Sequence, residues 1–240
     1  MAVLNLRPIV GGRILRGSQP FGMDAAETSA FLEQQGIRAV VDLRTEYERA
    51  IVPWPGLNGA PLSGTESKEL GSSKGVEFLD NPLEPRTGIE SLGTIVTAEE
   101  LGGLYLGWVR ERPEWVAESL RPVAQGKRTL IHCSLGKDRT GVIAAVALLA
   151  SGADHRTVVD DYTATTPELP QMLSLMAAAW RLAVPAMPEQ AFSPELMILQ
   201  SPEAAMNTFL AGFAAEFGDA AGYLRDAGLS GVELDALRAA

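Results

Sequence analysis

One cysteine, Cys133, stands in 240 residues, so no disulfide can close within the chain and a reducing compartment is the natural setting. Histidine is almost as scarce. With only His132 and His155 beside that one cysteine, a zinc site of the usual Cys/His kind is not expected, and neither a metal nor a cofactor is called for. Runs of Lys or Arg are missing as well, and 20 Lys+Arg against 30 Asp+Glu leave a net charge of -10. A nucleic-acid partner, which needs a basic face to release counterions from phosphates, is therefore excluded. No long hydrophobic run occurs: the longest, Val142 to Ala150, falls far below the ~20 residues needed to span a bilayer, so no integral membrane segment is expected. Asn5, Arg7, Pro8, Gly11 and Gly12 interrupt the first residues, which thus lack the apolar core of a signal peptide. The expectation is a cytoplasmic protein, with export by a route that needs no cleaved signal left open. Oligomeric state is not indicated.

What is present is ordinary for a folded chain: 46% hydrophobic and 21% charged residues, enough for one sizeable core. The N-terminal half alternates strands and helices. Arg13 to Arg16 reads as a short strand, Asp24 with Glu27 as a capping box opening a helix to Gln35, and Ile37 to Leu43 as a buried strand. Val52 to Gly93 is rich in Pro, Gly and Ser, and short pieces of structure with some functional mobility are expected there. Thr97 with Glu100 opens a further helix that Pro113 divides, Thr129 to His132 is a short strand, and Val142 to Ala150 is a helix buried on nearly all sides. From Asp154 on, Thr166-Pro167-Glu168, Ser193-Pro194-Glu195 and Ser201-Pro202-Glu203 each pair a capping hydroxyl with Pro and an acid, the composition of a helix start. The fold class expected is α/β: a central, mostly parallel sheet flanked by helices, with a largely helical C-terminal part. The whole of 1–240 reads as one domain, within which 154–215 is a candidate helical lid. Met172, Leu173, Leu175 and Met176 read mostly as core.

Chemistry concentrates in His132-Cys133-Ser134-Leu135-Gly136-Lys137-Asp138-Arg139-Thr140-Gly141. It is not a Walker loop: Ile131 replaces the first Gly, and Asp138 follows Lys137 where Ser or Thr is required. A cysteine and an arginine with five residues between them, lying between a strand and a buried helix, build an anion cradle instead. The tight loop turns the backbone N–H groups of Ser134, Leu135, Gly136, Lys137, Asp138 and Arg139 toward one centre. The helix beginning near Arg139 adds the positive end of its dipole, and the Arg139 fork can hold two phosphate oxygens. Cys133 at the base of this positive field is favoured as thiolate and can attack phosphorus in line. The Thr140 hydroxyl is placed to assist departure of the sulfur. His132 is read as fixing the loop, not as a base, and His155 as a surface residue.

The segment resembles the signature of the cysteine-based protein phosphatases. More narrowly, Gly136 to Gly141 is similar to the bacterial tyrosine and dual-specificity phosphatase family typified by the mycobacterial tyrosine phosphatase B. Arg16 to Pro20, Val41-Asp42-Leu43-Arg44 with Glu48, Asp161-Tyr162 and Phe217 to Leu237 extend the likeness over most of the chain, least over Pro53 to Gly93. The resemblance implies the cysteine-phosphatase fold and hydrolysis of phosphotyrosine, with phosphoserine, phosphothreonine and phosphoinositides as further candidates, in phosphorylated protein or lipid. No Asp occurs between Asn81 and Ile131, where phosphatases at large keep their general acid. The resemblance suggests Asp138 for that role, and Asp80, in the Pro/Gly-rich segment, is the alternative. Lys137 is expected as a second cation at the mouth, favouring substrates with more than one phosphate. Two other readings remain open: a phosphate-binding module without turnover, and a loop for sulfur transfer or arsenate reduction, of which arsenate reduction needs further cysteines that the sequence lacks.

Overall fold

The computed structural model describes residues 2–56, 75–84 and 94–238. A five-stranded sheet runs in the order β2 (Arg7–Ile9), β3 (Ile14–Gly17), β7 (Thr129–His132), β5 (Ala39–Asp42), β6 (Glu77–Asp80). β3, β7, β5 and β6 are parallel, and only the edge strand β2 runs antiparallel to its neighbour. β1 (Ala2–Val3) and β4 (Pro20–Phe21) pair separately. The expected fold class is the observed one.

Alternation along the central strands explains the layers. Leu15, Val40 and Leu130 point to one face, where they meet Leu32 of α1 (Ala25–Gln34) and Trp54. Ile14, Val41 and Ile131 point to the other, against α5 (Asp138–Ala150) and the helices around it. That second cluster also takes in Leu120 of α4 (Pro113–Ala124), Val158 of α6 (His155–Thr163), Met172 of α7 (Leu169–Ala183) and Phe209 of α8 (Glu203–Phe217). The C-terminal helices thus share the core of the sheet. Met172, Leu173 and Met176 are buried in it.

Capping chemistry places several helix starts. Asp24 and Glu27 form the expected box on α1, and Thr97 and Glu100 form another on α3 (Ala98–Glu111). A third box, Thr45 with Glu48, opens α2 (Glu46–Ile51). Two expectations in the C-terminal third are corrected. Ser193-Pro194-Glu195 starts no α-helix: a turn and a 3-10 piece, Met197–Leu199, fill the short stretch before Pro202, whose ring excludes the helical conformation from the residue ahead of it. Thr166 and Ser201 do not cap either. Thr166–Glu168 is a 3-10 turn leading into α7, α8 begins after Pro202, and the two hydroxyls bond each other at 2.9 Å. Of the Pro/Gly-rich segment, 57–74 and 85–93 lie outside the described residues. α9 (Ala220–Asp226) and α10 (Gly231–Arg238) close the chain against α4 and α5.

Candidate active site

The loop from Cys133 to Lys137 leaves β7 at the carboxyl end of the sheet, where open α/β sheets build their sites, and feeds directly into α5. Its direction is set from behind. Ser134 O accepts from Gln19 N at 3.1 Å, Leu135 O and Gly136 O accept from Asn5 Nδ2 at 3.1 and 3.2 Å, and Gly136 O also accepts from Arg16 Nη2 at 2.7 Å. A carbonyl and the N–H that follows it point opposite ways across one peptide plane. With three consecutive carbonyls turned outward, the N–H groups of Leu135, Gly136 and Lys137, three of the six expected to line the nest, face the opposite way. Gly136 is the residue this winding requires: its φ is 67°, and a Cβ there would lie 2.2 Å from Gly17 O.

Cys133 sits at the floor, 2% exposed. Arg139, one residue into α5, turns its guanidinium beside it. Glu48 holds that group end-on: Nη1 donates to Oε2 at 2.7 Å and Nη2 to Oε1 at 2.6 Å. Nη1 also donates to Leu43 O at 3.0 Å and Leu83 O at 3.2 Å. Of five N–H donors, the Nε hydrogen and the second Nη2 hydrogen are left without a partner among the described residues, and they form one parallel fork. Glu48 therefore fixes the plane of Arg139 without taking the edge that grips an oxyanion. Its carboxylate further accepts from Ser134 Oγ at 2.6 Å and Thr45 N at 2.9 Å. Burial alone would raise the Glu48 proton affinity, but the Arg139 charge and these hydrogen bonds win and hold it down to about 2.

Asp138 lines the cavity above the loop, its side chain 22% exposed. Its Oδ1 accepts from Tyr105 Oη at 2.5 Å and from Lys137 Nζ. Here the structure corrects the expectation for Lys137. Its side chain is fully buried, turned away from the mouth between Asp138 and Gln200 O, the latter at 2.7 Å, because an ammonium in the core must have such partners. Asp80 is corrected also: it ends β6 in parallel register with Asp42, faces Arg49 at 3.4 Å, and does not line the cavity, so it is not a residue on a swinging loop. Burial, opposed by Arg49, raises its proton affinity. The Thr140 hydroxyl is buried with no hydrogen-bond partner among the described residues.

Behind Cys133, His132 accepts from Trp54 Nε1 on Nε2 at 2.9 Å, which leaves the Nδ1 hydrogen to donate to Cys133 O at 3.1 Å. Burial, with Asp42 opposing and Arg44 assisting, pulls the imidazole down to about 4, so it is neutral and serves as a strut. Asp42 and Arg44 form a fully buried pair at 2.7 Å. Arg44 also donates to Gln19 Oε1 and Val52 O, so the pair braces the residue that holds Ser134 O. Asp161 binds Arg7 at 2.7 Å and Arg16, fixing the arginine that holds Gly136 O. His155 lies on the surface against Asn207.

The cradle opens into a cavity of about 430 Å³ whose floor is Cys133, Ser134, Leu135, Asp138 and Arg139. Its walls are mainly apolar and aromatic, with Tyr47, Trp108, Met176, Trp180, Phe192 and Leu199 among them, and Glu84 at one side. Among the described residues no group of three or more His, Cys, Asp or Glu side chains comes together as a metal site, and no helix is long and apolar enough to cross a membrane. Asn5 and Tyr105 carried no signal in the sequence. Arg16, Gln19 and Glu48 lie in stretches that carry the family resemblance but were given no role in the site, and Glu48 also had a local signal, the same Thr-x-x-Glu spacing as the box at Thr97.

The sequence profile of the tyrosine phosphatase family matches residues 4–240. The chain is 32% identical to the triple specificity protein phosphatase PtpB of Mycobacterium tuberculosis, over 97% of this chain and 91% of that one. It is 28% identical to a Cupriavidus necator chain provisionally assigned as a tyrosine-protein phosphatase, over 92% of this chain and 76% of the other. Among solved structures, the core catalytic domain of the PP-IP phosphatase SIW14 from S. cerevisiae overlays with a TM-score of 0.39 at 15% identity, covering 81% of this chain and 85% of that one, too loose a likeness to argue from.

Proposed function

The chain belongs to the tyrosine phosphatase family, and from that membership and the geometry of the loop we propose that it hydrolyses phosphate monoesters through a phosphocysteine intermediate on Cys133. Phosphotyrosine is the leading substrate, with phosphoserine, phosphothreonine and phosphoinositides beside it. The observation that carries this reading is the cradle itself: three inward N–H groups, a helix N-terminus and the free fork of Arg139 converge above the one cysteine. The aromatic walls support an aryl ester, since they offer apolar contact to a ring and little to a sugar or polyol.

In the first step the Cys133 sulfur attacks phosphorus in line, while the nest and the Arg139 fork hold the equatorial oxygens. The bond to the leaving oxygen breaks, and Asp138 gives that oxygen its proton. In the second step the Asp138 carboxylate takes a proton from water as the water oxygen attacks phosphorus. The S–P bond breaks, its electron pair returns to sulfur, and the Thr140 hydroxyl, without a partner among the described residues, can donate to the departing thiolate. Lys137 contributes its backbone N–H to the nest and its side chain to Asp138, with no share in the mouth. A nucleophilic thiol works only reduced, which supports a cytoplasmic setting. Turnover of an aryl phosphate and a phosphotyrosine peptide by wild type and Cys133→Ser tests the reading. It expects the variant to fall to the uncatalysed rate, and undiminished turnover overturns it.

A further inference from the structure

Acting as the acid, Asp138 gives up a proton from one of two oxygens, and the buried residues behind it are not symmetric about them. Tyr105 in α3 and Tyr162 in α6 are both fully buried, with their hydroxyls 2.9 Å apart. Burial first, and then the neighbouring Asp138 carboxyl, push both phenols well above their ordinary range, so each keeps its hydrogen. Tyr105 directs its single hydrogen to Asp138 Oδ1 at 2.5 Å. It has none left for Tyr162, so Tyr162 must donate to the Tyr105 oxygen. The order is therefore one-way: Tyr162 to Tyr105 to Asp138. Lys137 Nζ donates to the same Oδ1. No described residue donates to Oδ2 of this cavity-lining carboxyl.

We propose that Tyr105 is a positioning residue for proton transfer: by occupying Oδ1 together with Lys137 it commits the transferable proton of Asp138 to Oδ2, the oxygen left for the substrate. This rests on the reading of Asp138 as the general acid. An oxygen that faces two donors cannot itself carry a hydrogen toward them, so in the acid form Oδ1 is the carbonyl oxygen and Oδ2 the hydroxyl. When Oδ2 gives its proton to the leaving oxygen, the O–H bond of Asp138 breaks, the bond to the leaving group's oxygen forms, and the negative charge left on the carboxylate meets the same two donors without any side chain moving. When water attacks the phosphocysteine, Oδ2 recovers a proton from it and the resting state returns. Nothing in this cycle alters the Tyr105 hydrogen bond, which suits a preorganised donor.

A tyrosine that merely satisfies its hydroxyl in the core predicts different kinetics, and the leaving group separates the two. Tyr105→Phe removes one oxygen and keeps the ring against Trp108, whose centroid lies 5.4 Å away. Across aryl phosphates running from acidic nitrophenols to phenol and tyrosine, the quantity read is kcat/KM, which reports the step in which the leaving oxygen departs and not the later hydrolysis of the phosphocysteine. The variant should keep near wild-type kcat/KM for the most acidic leaving group, and the loss should grow to about 10–100-fold for the most basic one. Asp138→Asn should show a steeper dependence of the same kind, and Tyr105→Phe added to it should change nothing further. Tyr162→Phe, which removes only the backing donor, should give a shallower version and stands in if Tyr105→Phe does not fold. A uniform loss across the series, no loss, or the same added factor in the Asp138→Asn background overturns the proposal for Tyr105. A flat series for Asp138→Asn itself overturns the acid assignment beneath it.

Discussion

Glu48→Gln is the perturbation that most directly probes how the phosphate fork is held. The Glu48 carboxylate is nearly buried and accepts from Arg139 twice, from Ser134 and from Thr45. The amide keeps the shape, drops the charge, and turns a donor toward groups that are themselves donors. The magnitude follows from proton linkage. A fall from the ordinary 4.5 to about 2 in the folded state, at about 1.4 kcal/mol per tenfold in proton affinity, corresponds to about 3 kcal/mol of stability. Because the folded value is the depressed one, this contribution is fully present above pH 4.5 and is lost as the pH falls through about 2. Urea unfolding of wild type and Glu48→Gln at a series of pH values is the assay. The gap between them should be about 3 kcal/mol near pH 7 and should close toward pH 2. Inhibition by inorganic phosphate should weaken in parallel at pH 7, since Arg139 loses the partner that fixes its plane. A gap that stays constant from pH 7 down to pH 2 refutes the argument, because the carboxylate charge would then contribute nothing.

Gly136→Ala should cost about 1–3 kcal/mol from the backbone conformation alone, and more from the clash with Gly17 O, seen as a lowered Tm together with loss of phosphate binding. Arg139→Lys keeps the charge but removes the fork, and kcat/KM for an aryl phosphate should fall by at least about tenfold, the worth of one charge-assisted hydrogen bond. Lys137→Met should lower kcat for substrates with basic leaving groups, through Asp138, and should leave the ratio of kcat/KM between singly and multiply phosphorylated substrates unchanged. A collapse of that ratio would return Lys137 to the mouth.

The parts legible in the sequence were the contiguous ones. The run from His132 to Gly141 displays strand end, cradle and helix start in order, and the apolar stretches of β5, β7 and α5 announce burial without ambiguity. Capping boxes spoke through local spacing, and Thr45 with Glu48 used the same spacing as those recognised. What sequence order concealed are partners that meet across the fold. Asn5 and Arg16 reach the loop from more than a hundred residues away, and Tyr105 reaches Asp138 from another helix. No periodicity marks such pairs, because each residue alone reads as an ordinary polar or core side chain. Lys137 misled for a related reason: a lysine inside a phosphate loop is expected to face the ligand, and only the packing of Gln200 and Asp138 around its ammonium turns it inward. Ser193 misled because a local helix-start pattern cannot see that the next proline leaves too few residues for a helix, and Ser201 marked a true helix start without capping it, its hydroxyl being taken by Thr166.

The central claim is a covalent phosphoryl group on Cys133. Mixing the enzyme with an excess of an aryl phosphate, quenching in acid within the first turnovers and reading the intact mass and the peptide containing Cys133 tests it without inference. The account predicts up to one added phosphoryl group per chain, carried on Cys133, rising and decaying with turnover. Steady release of phosphate with no phosphorylated cysteine at any time, or with the group on another residue, contradicts it.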